Sequence, residues 1–255
     1  MMTPQQLLEA LASTRFARRE HVLLERSGGV AVAVRIAPAE AREAWLEARG
    51  LLDVTGRWPV AMCSWSMDAG ASWSQDVNAL LDVGGFGGDR SSVATILEQA
   101  RSIDLDAVLA AREDDWWTKW NSKELTGEVG WAVNAIESWF EPMKDQHSAM
   151  VFLPTAQSAA TVVYESWYAE SPEKPATALV ALLERWNATY GAEVMAHWGT
   201  MLQLRIERPP RDIAQARELA REQLLVAPCT AMLHGTHPEH HAEALLQAKS
   251  WFLHE

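Results

Sequence analysis

Residues 179–229 read LVALLERWNATYGAEVMAHWGTMLQLRIERPPRDIAQARELAREQLLVAPC, and their pattern decides the fold class. Leu179, Leu182, Leu183, Trp186 and Tyr190 recur at helical spacing and predict one apolar face. Gly191 follows directly, where a helix end accepts a left-handed residue at no Cβ cost. Val194, Ala196 and Trp198 then alternate with Met195 and His197, which is strand spacing. Gly199-Thr200 is a two-residue turn of the primed type. Leu202, Leu204 and Ile206 alternate with Gln203, Arg205 and Glu207, which predicts a strand with one buried and one wet face. Pro209-Pro210 ends it, since neither residue can donate to a ladder. Asp212 with Gln215 predicts a capping box for a helix that turns Ile213, Ala216, Leu219 and Ala220 inward. The expected unit is helix, hairpin, helix, with the helices from Pro175 and Ile213 packed on the sheet face of Leu202, Leu204 and Ile206.

Working outward, the N-terminal part supplies more elements of both kinds. Thr3-Pro4-Gln5-Gln6 starts a capped helix with Leu7, Leu8 and Leu11 on one face. Val22–Arg26 and Val30–Ile36 flank Ser27-Gly28-Gly29 and predict a hairpin. Pro38 opens a helix with Ala41, Ala44, Trp45 and Ala48 inward, ended by Gly50. Pro59–Trp65 predicts a strand, and Ser66–Arg90 an irregular stretch that contains Gly84-Gly85-Phe86-Gly87-Gly88. Val93, Ile96, Leu97 and Ala100 make a helix, and Asp104 caps a short one carrying Leu105, Val108 and Leu109. Trp131, Ala135, Ile136 and Trp139 fit a short helix, and Ala149–Leu153 and Thr161–Trp167 are expected as strands. The expected fold class is α+β, with mixed or antiparallel sheets packed with helices. A polar break over Lys119–Gly130 suggests a division into an N-terminal subdomain (1–118), a connecting segment (119–147) and a C-terminal domain (148–255).

The C-terminal stretch also carries a resemblance. Glu184 to Val194 (ERW-x3-YGAEV), Leu202 to Pro210 (L-x-L-x3-RPP) and Ala216 to Gln223 (A-x-ELAREQ) resemble the bacterial domain of unknown function 4253, over roughly residues 150–255. These are packing and turn signals, so the resemblance implies a fold and transfers no activity. Family members resemble one another further on in a Cys-Pro-Asp step and a Trp-rich, Asp-ended C-terminus. Here those places read Pro228-Cys229-Thr230 and Trp251-Phe252-Leu253-His254-Glu255. A site built on the Asp of that step is therefore not implied for this chain.

Composition bounds the rest. With 255 residues, 48% hydrophobic and 22% charged, the chain is expected to be globular and long enough for an ample core. No apolar run approaches a membrane span, and the N-terminus lacks a basic-then-apolar signal pattern, so a cytoplasmic location is expected. Cys63 and Cys229 form no CxxC and are expected as reduced, buried thiols. The net charge of −12 argues against nucleic acid, whose phosphates require Lys and Arg, and against an anionic membrane surface. It suits a basic protein partner. Residues 104–170 hold twelve acidic and four basic side chains, so they carry −8 of that charge. Six of the thirteen tryptophans lie there too.

Candidate chemistry is sparse. Glu113-Asp114-Asp115 runs into Trp116-Trp117 and Trp120 with no periodic apolar partner. Acids beside tryptophans suit a protein interface, because Trp removes much apolar area from water and keeps an N–H donor. A solvated charge run beside locally packed tryptophans is the plainer alternative. His234, His237, His240 and His241 cluster near the C-terminus, where Thr236, Pro238 and Glu239 mark a helix start, which sets His237 and His241 one turn apart on the same face. Imidazoles at that spacing bind zinc or nickel when a third ligand such as His234 or Glu239 joins them; a polar first turn bordering Leu245 and Leu246 is the plainer reading. No metal is expected there. Gly84–Gly88 lacks the Lys-Ser/Thr ending of a phosphate loop and is expected as a loop. No catalytic or cofactor motif is present, so no cofactor is expected. Two function classes remain: a protein-binding module of the inhibitor or immunity type that masks a cationic toxin or enzyme, and an enzyme of unrecognised type, metal-dependent through the His cluster in its sharpest form.

Overall fold

A computed structural model of the chain describes residues 1–26, 29–63, 72–80, 93–113, 115–122, 132, 147–164, 176–232 and 235–255. Its strands are β1 (His21–Arg26), β2 (Gly29–Ile36), β3 (Trp58–Cys63), β4 (Ser148–Leu153), β5 (Glu193–Trp198), β6 (Met201–Arg205) and β7 (Ser250–His254). They form one seven-stranded sheet in the order β1-β2-β4-β3-β5-β6-β7. Neighbours are antiparallel except β3 and β5, which run parallel with Ala61 beside Ala196. The described helices are α1 (Pro4–Leu11), α2 (Ala41–Gly50), α3 (Leu52–Thr55), α4 (Trp73–Leu80), α5 (Val93–Ala100), α6 (Leu105–Ala110), α7 (Asp115–Asn121), α8 (Thr161–Tyr164), α9 (Ala176–Tyr190), α10 (Ile213–Val226), α11 (Cys229–Met232) and α12 (Pro238–Leu245). The fold is α+β with a mixed sheet. None of the described helices is long and apolar enough to cross a membrane.

Local chemistry forms most elements where the sequence places them. Thr3 and Gln6 close a capping box on α1, with Pro4 in its first turn. Asp104 accepts from Ala107 N–H at the start of α6. Asp212 caps α10 through Gln215 N–H, while the Gln215 side chain reaches Arg211 N–H, one residue before the cap. Gly191 ends α9 at φ +64°, and a Cβ there would stand 2.7 Å from Glu207 Cβ, so only glycine fits. Ala41, Ala44, Trp45 and Ala48 of α2 are all buried.

The centre of the sheet is covered on both faces. β3 (WPVAMC) and β4 (SAMVFL) bury every residue, as apolar strands do when layers lie above and below. On one face the register sets Val32, Phe152 and Pro59 abreast, and Phe16 meets Phe152 edge-on at 5.5 Å. On the face of Leu202 and Leu204, Trp251 stands beside Leu204 and packs edge-on against Trp186 and Tyr190 of α9. That face is covered as the alternation predicts. The other face of β6 is not wet along its length: Gln203 is 0% exposed, whereas Arg205 at the strand's end and Glu207 beyond it reach water.

Three expectations change. Thr161–Tyr164 is a helical turn, not a strand; it continues a 3-10 turn at Ser158–Ala160, and Ser158 Oγ accepts from Val194 N–H. The β-branched run Thr161-Val162-Val163 misleads because β-propensity measures fit to a sheet, and no sheet position is open there. Within the stretch expected as irregular, α4 forms because Ser72 and Gln75 cap it and Trp73 and Val77 bury one turn apart. The hairpin β5–β6 is not a separate unit, since β3 and β7 extend it on both sides. The expected elements over Gly84–Gly88, Trp131–Trp139 and Glu165–Trp167 fall on residues outside the described ones, Ala132 apart.

The segment 119–147 separates the two halves in sequence, yet β4, which follows it, lies between β2 and β3. Further ties join the halves: Arg49 of α2 pairs with Glu193 at 2.6 Å, and Trp58 Nε1 donates to the Val194 carbonyl at 3.0 Å.

Candidate functional site

Three places hold residues with functional chemistry. The first is the acidic, Trp-bearing segment. Asp115, Trp116, Trp117 and Trp120 lie on α7, while Asp114 and the side chains of Asp115, Trp116 and Trp117 are outside the described residues. Trp120 is buried and packs with Leu224 and Ala231. Glu113 forms an ion pair with Arg221 of α10, and Arg112 donates to the Leu225 carbonyl. Upstream, Arg185 of α9 bridges Asp106 and Glu222, and Glu222 also accepts from Trp186 Nε1 at 2.6 Å. The segment is thus docked on α9 and α10 through arginines, and part of its negative charge is met from within the chain.

The second is the histidine cluster. His237 is the N-cap of α12, where its Nδ1 accepts from Glu239 N–H. His241 is 1% exposed and its Nε2 lies 2.9 Å from Gln223 Oε1. Burial pushes its pKa down to about 3. His237 and His240 face each other with ring centroids 6.5 Å apart. The helix start is where the sequence places it, but one imidazole serves the cap and the other points at a buried amide. His234 lies outside the described residues. Among the described residues no three His, Cys, Asp or Glu side chains are grouped to hold a metal ion.

The third place was invisible in the sequence. Asp76 of α4 and His147, just before β4, meet with Nδ1 and Oδ2 2.6 Å apart; the Asp76 side chain is 7% exposed and that of His147 27%. They sit at the carboxyl end of β3, one of the two parallel strands. Trp73 Nε1 anchors α4 there by donating to the Ser148 carbonyl at 3.1 Å. A carboxylate that fixes an imidazole is the arrangement of an oriented acid–base group. Beside it in register stand Cys63 and Ser148, both buried. Burial pushes the Cys63 thiol up to about 12, so it is not a thiolate nucleophile. The two acid–base partners lie 71 residues apart. No spacing rule finds such a pair; only the cap at Ser72 hints that Asp76 sits on a helix.

The two places at which the chain departs from the pattern of the family it resembles also meet. Pro228 bridges to His254, and Thr230 Oγ1 accepts from His254 N–H at 2.8 Å. Thr230 ties the last strand to α11 with a hydroxyl, a task that needs no charge. No curated protein and no solved structure matches the chain. The resemblance expected over roughly residues 150–255 holds, from inside β4 to the end of β7: residues 149–254 match the family described as Domain of unknown function (DUF4253).

Proposed function

We propose that this chain is a protein-binding module of the inhibitor or immunity type, which masks a basic partner, a cationic toxin or enzyme. One observation carries the reading. The chain's arginines are largely engaged with its own carboxylates, in pairs such as Arg15–Glu47, Arg49–Glu193, Arg185–Glu222 and Arg217–Glu239. Glu43, Asp53, Glu98 and Glu218, by contrast, are exposed and in no ion pair among the described residues. With a net charge of −12, the surplus faces outward. Such a field speeds encounter with a cationic protein, and occlusion of the partner's site then inhibits it.

The contact is assigned to Glu113–Trp120. Exposed acids set the on-rate and tryptophans the off-rate, because charges steer and buried aromatics hold. The test uses a cationic protein co-purified with the chain. Trp117→Ala is expected to cost roughly 2 kcal/mol or more of binding while Tm barely moves. The association rate should fall steeply with added salt. A large fall in Tm with affinity unchanged would put Trp117 in the core and remove the assignment.

A second reading, an enzyme of unrecognised type, is favoured by the Asp76–His147 pair rather than by the C-terminal histidines. Its mark is a turnover, found in a panel of activated esters and phosphoesters, that His147→Gln abolishes in folded protein.

A further inference from the structure

The two edges of the sheet are finished differently. At β7 the chain covers itself: Pro228 bridges to His254, whose N–H donates to Thr230. At β1 the outer edge carries His21, Leu23 and Glu25, all exposed, with Leu23 at 53%. The backbone directions there follow from the register. Arg35 N–H donates to the Glu20 carbonyl, and the pairing continues through Val22 with Ala33, Leu24 with Ala31 and Arg26 with Gly29. Hydrogen-bonded pairs in an antiparallel ladder recur at every second residue. Val22, Leu24 and Arg26 therefore turn their N–H and C=O groups toward β2, and His21, Leu23 and Glu25 turn theirs outward.

We propose that β1 is a self-association edge, at which two copies of the chain pair antiparallel about a twofold axis at Leu23. In that register Leu23 meets Leu23 of the second copy, and His21 meets Glu25 of the second copy twice over. Every outward-turned residue then faces another outward-turned residue, so each such pair is hydrogen-bonded. A slip of one residue would set outward groups against inward ones and lose the ladder. The side chains agree with the backbone. Residues directly opposite share a face, so the exposed Leu23 side chains leave water together, and imidazole stands across from carboxylate. A carboxylate has acceptor capacity for several donors, so Glu25 can serve this contact beside any it makes within its own chain. The contact is isologous and closes at two copies.

The test is the mass of the full chain in solution across a concentration series. It should rise from 28.4 kDa toward twice that value. Leu23→Pro removes only an outward N–H, which an edge strand tolerates; this variant should stay at the monomer mass with Tm within a few degrees of the parent. Val22→Pro removes an N–H bonded to Ala33 and should lower Tm sharply, which calibrates the comparison. Glu25→Lys should weaken association about tenfold, since it removes the carboxylate that stands across from the imidazole in both contacts. His21→Glu combined with Glu25→Lys should restore it, because the exchange keeps both pairs complementary. Three results would each overturn the proposal. The chain could remain at 28.4 kDa at every concentration. Association could survive Leu23→Pro. The double exchange could fail to rescue Glu25→Lys, as it would if the edge served a strand of a different protein.

Discussion

His197 is the residue whose chemistry is most at odds with its place. It is 4% exposed on β5, and neither ring nitrogen has a hydrogen-bond partner among the described residues. Burial pushes its pKa down to about 4, and that of His241 to about 3, against an ordinary 6.5. Above pH 6.5 both rings are neutral whether the chain is folded or not, and their full share of stability is present. As pH falls below 6.5, the unfolded chain takes up protons that the folded one refuses. Stability should then drop by about 1.4 kcal/mol per pH unit for each histidine, down to the folded values. A buried polar group without a partner costs about 1–3 kcal/mol. His197→Leu should therefore raise stability at pH 7 by about 1 kcal/mol and remove half of this acid slope between pH 6 and pH 4.5. Urea midpoints over a pH series measure both effects, and an unchanged slope would show that His197 titrates normally.

At the scale of elements, α7 is where packing and interface compete. Its Trp120 lies against Leu224 of α10 and Ala231 of α11, while Arg112 and Glu113 just before it bond to α10. Trp120→Ala should cost about 3 kcal/mol or more, the scale of a buried tryptophan left as a cavity, and lower Tm accordingly. A Tm change below about 2 °C would mean that Trp120 does not anchor α7, since each kcal/mol shifts Tm by roughly 2–4 °C in a chain of this size. The contrast with Trp117→Ala separates the anchoring side of the helix from a binding side. Helix ends follow a simpler logic. Thr3, Ser72, Asp104 and Asp212 each satisfy an N–H that the first turn leaves open, and the caps at Thr3, Asp104 and Asp212 are legible from residue type and spacing alone.

At the scale of the molecule, the matched stretch 149–254 is not a closed sheet. It contains β4, β5, β6 and β7, but β4 and β5 are not neighbours; β3, which lies outside the match, fills the place between them. The fragment 147–255 alone should therefore lack two neighbours of β4 and one of β5, and should unfold without a cooperative transition. Mixing it with the fragment 1–122 should restore near-UV dichroism, because β2 and β3 then cover the exposed ladder groups. A sharp, cooperative melt of 147–255 on its own would show that another strand order closes the family domain.

What the sequence by itself determined is local. Apolar residues three and four apart made α9 and α10, Gly191 and Gly199 placed the turns around β5, and the caps set the helix starts, because each signal acts within a few residues. The order of strands was decided elsewhere. β4 enters between β2 and β3, β3 runs parallel to β5, Gln203 is sealed from water, and Asp76 meets His147. These facts join residues tens to more than a hundred positions apart. A strand's period says which side chains share a face, not which strand lies beside it; that is chosen when distant apolar surfaces compete for burial and backbone groups for partners.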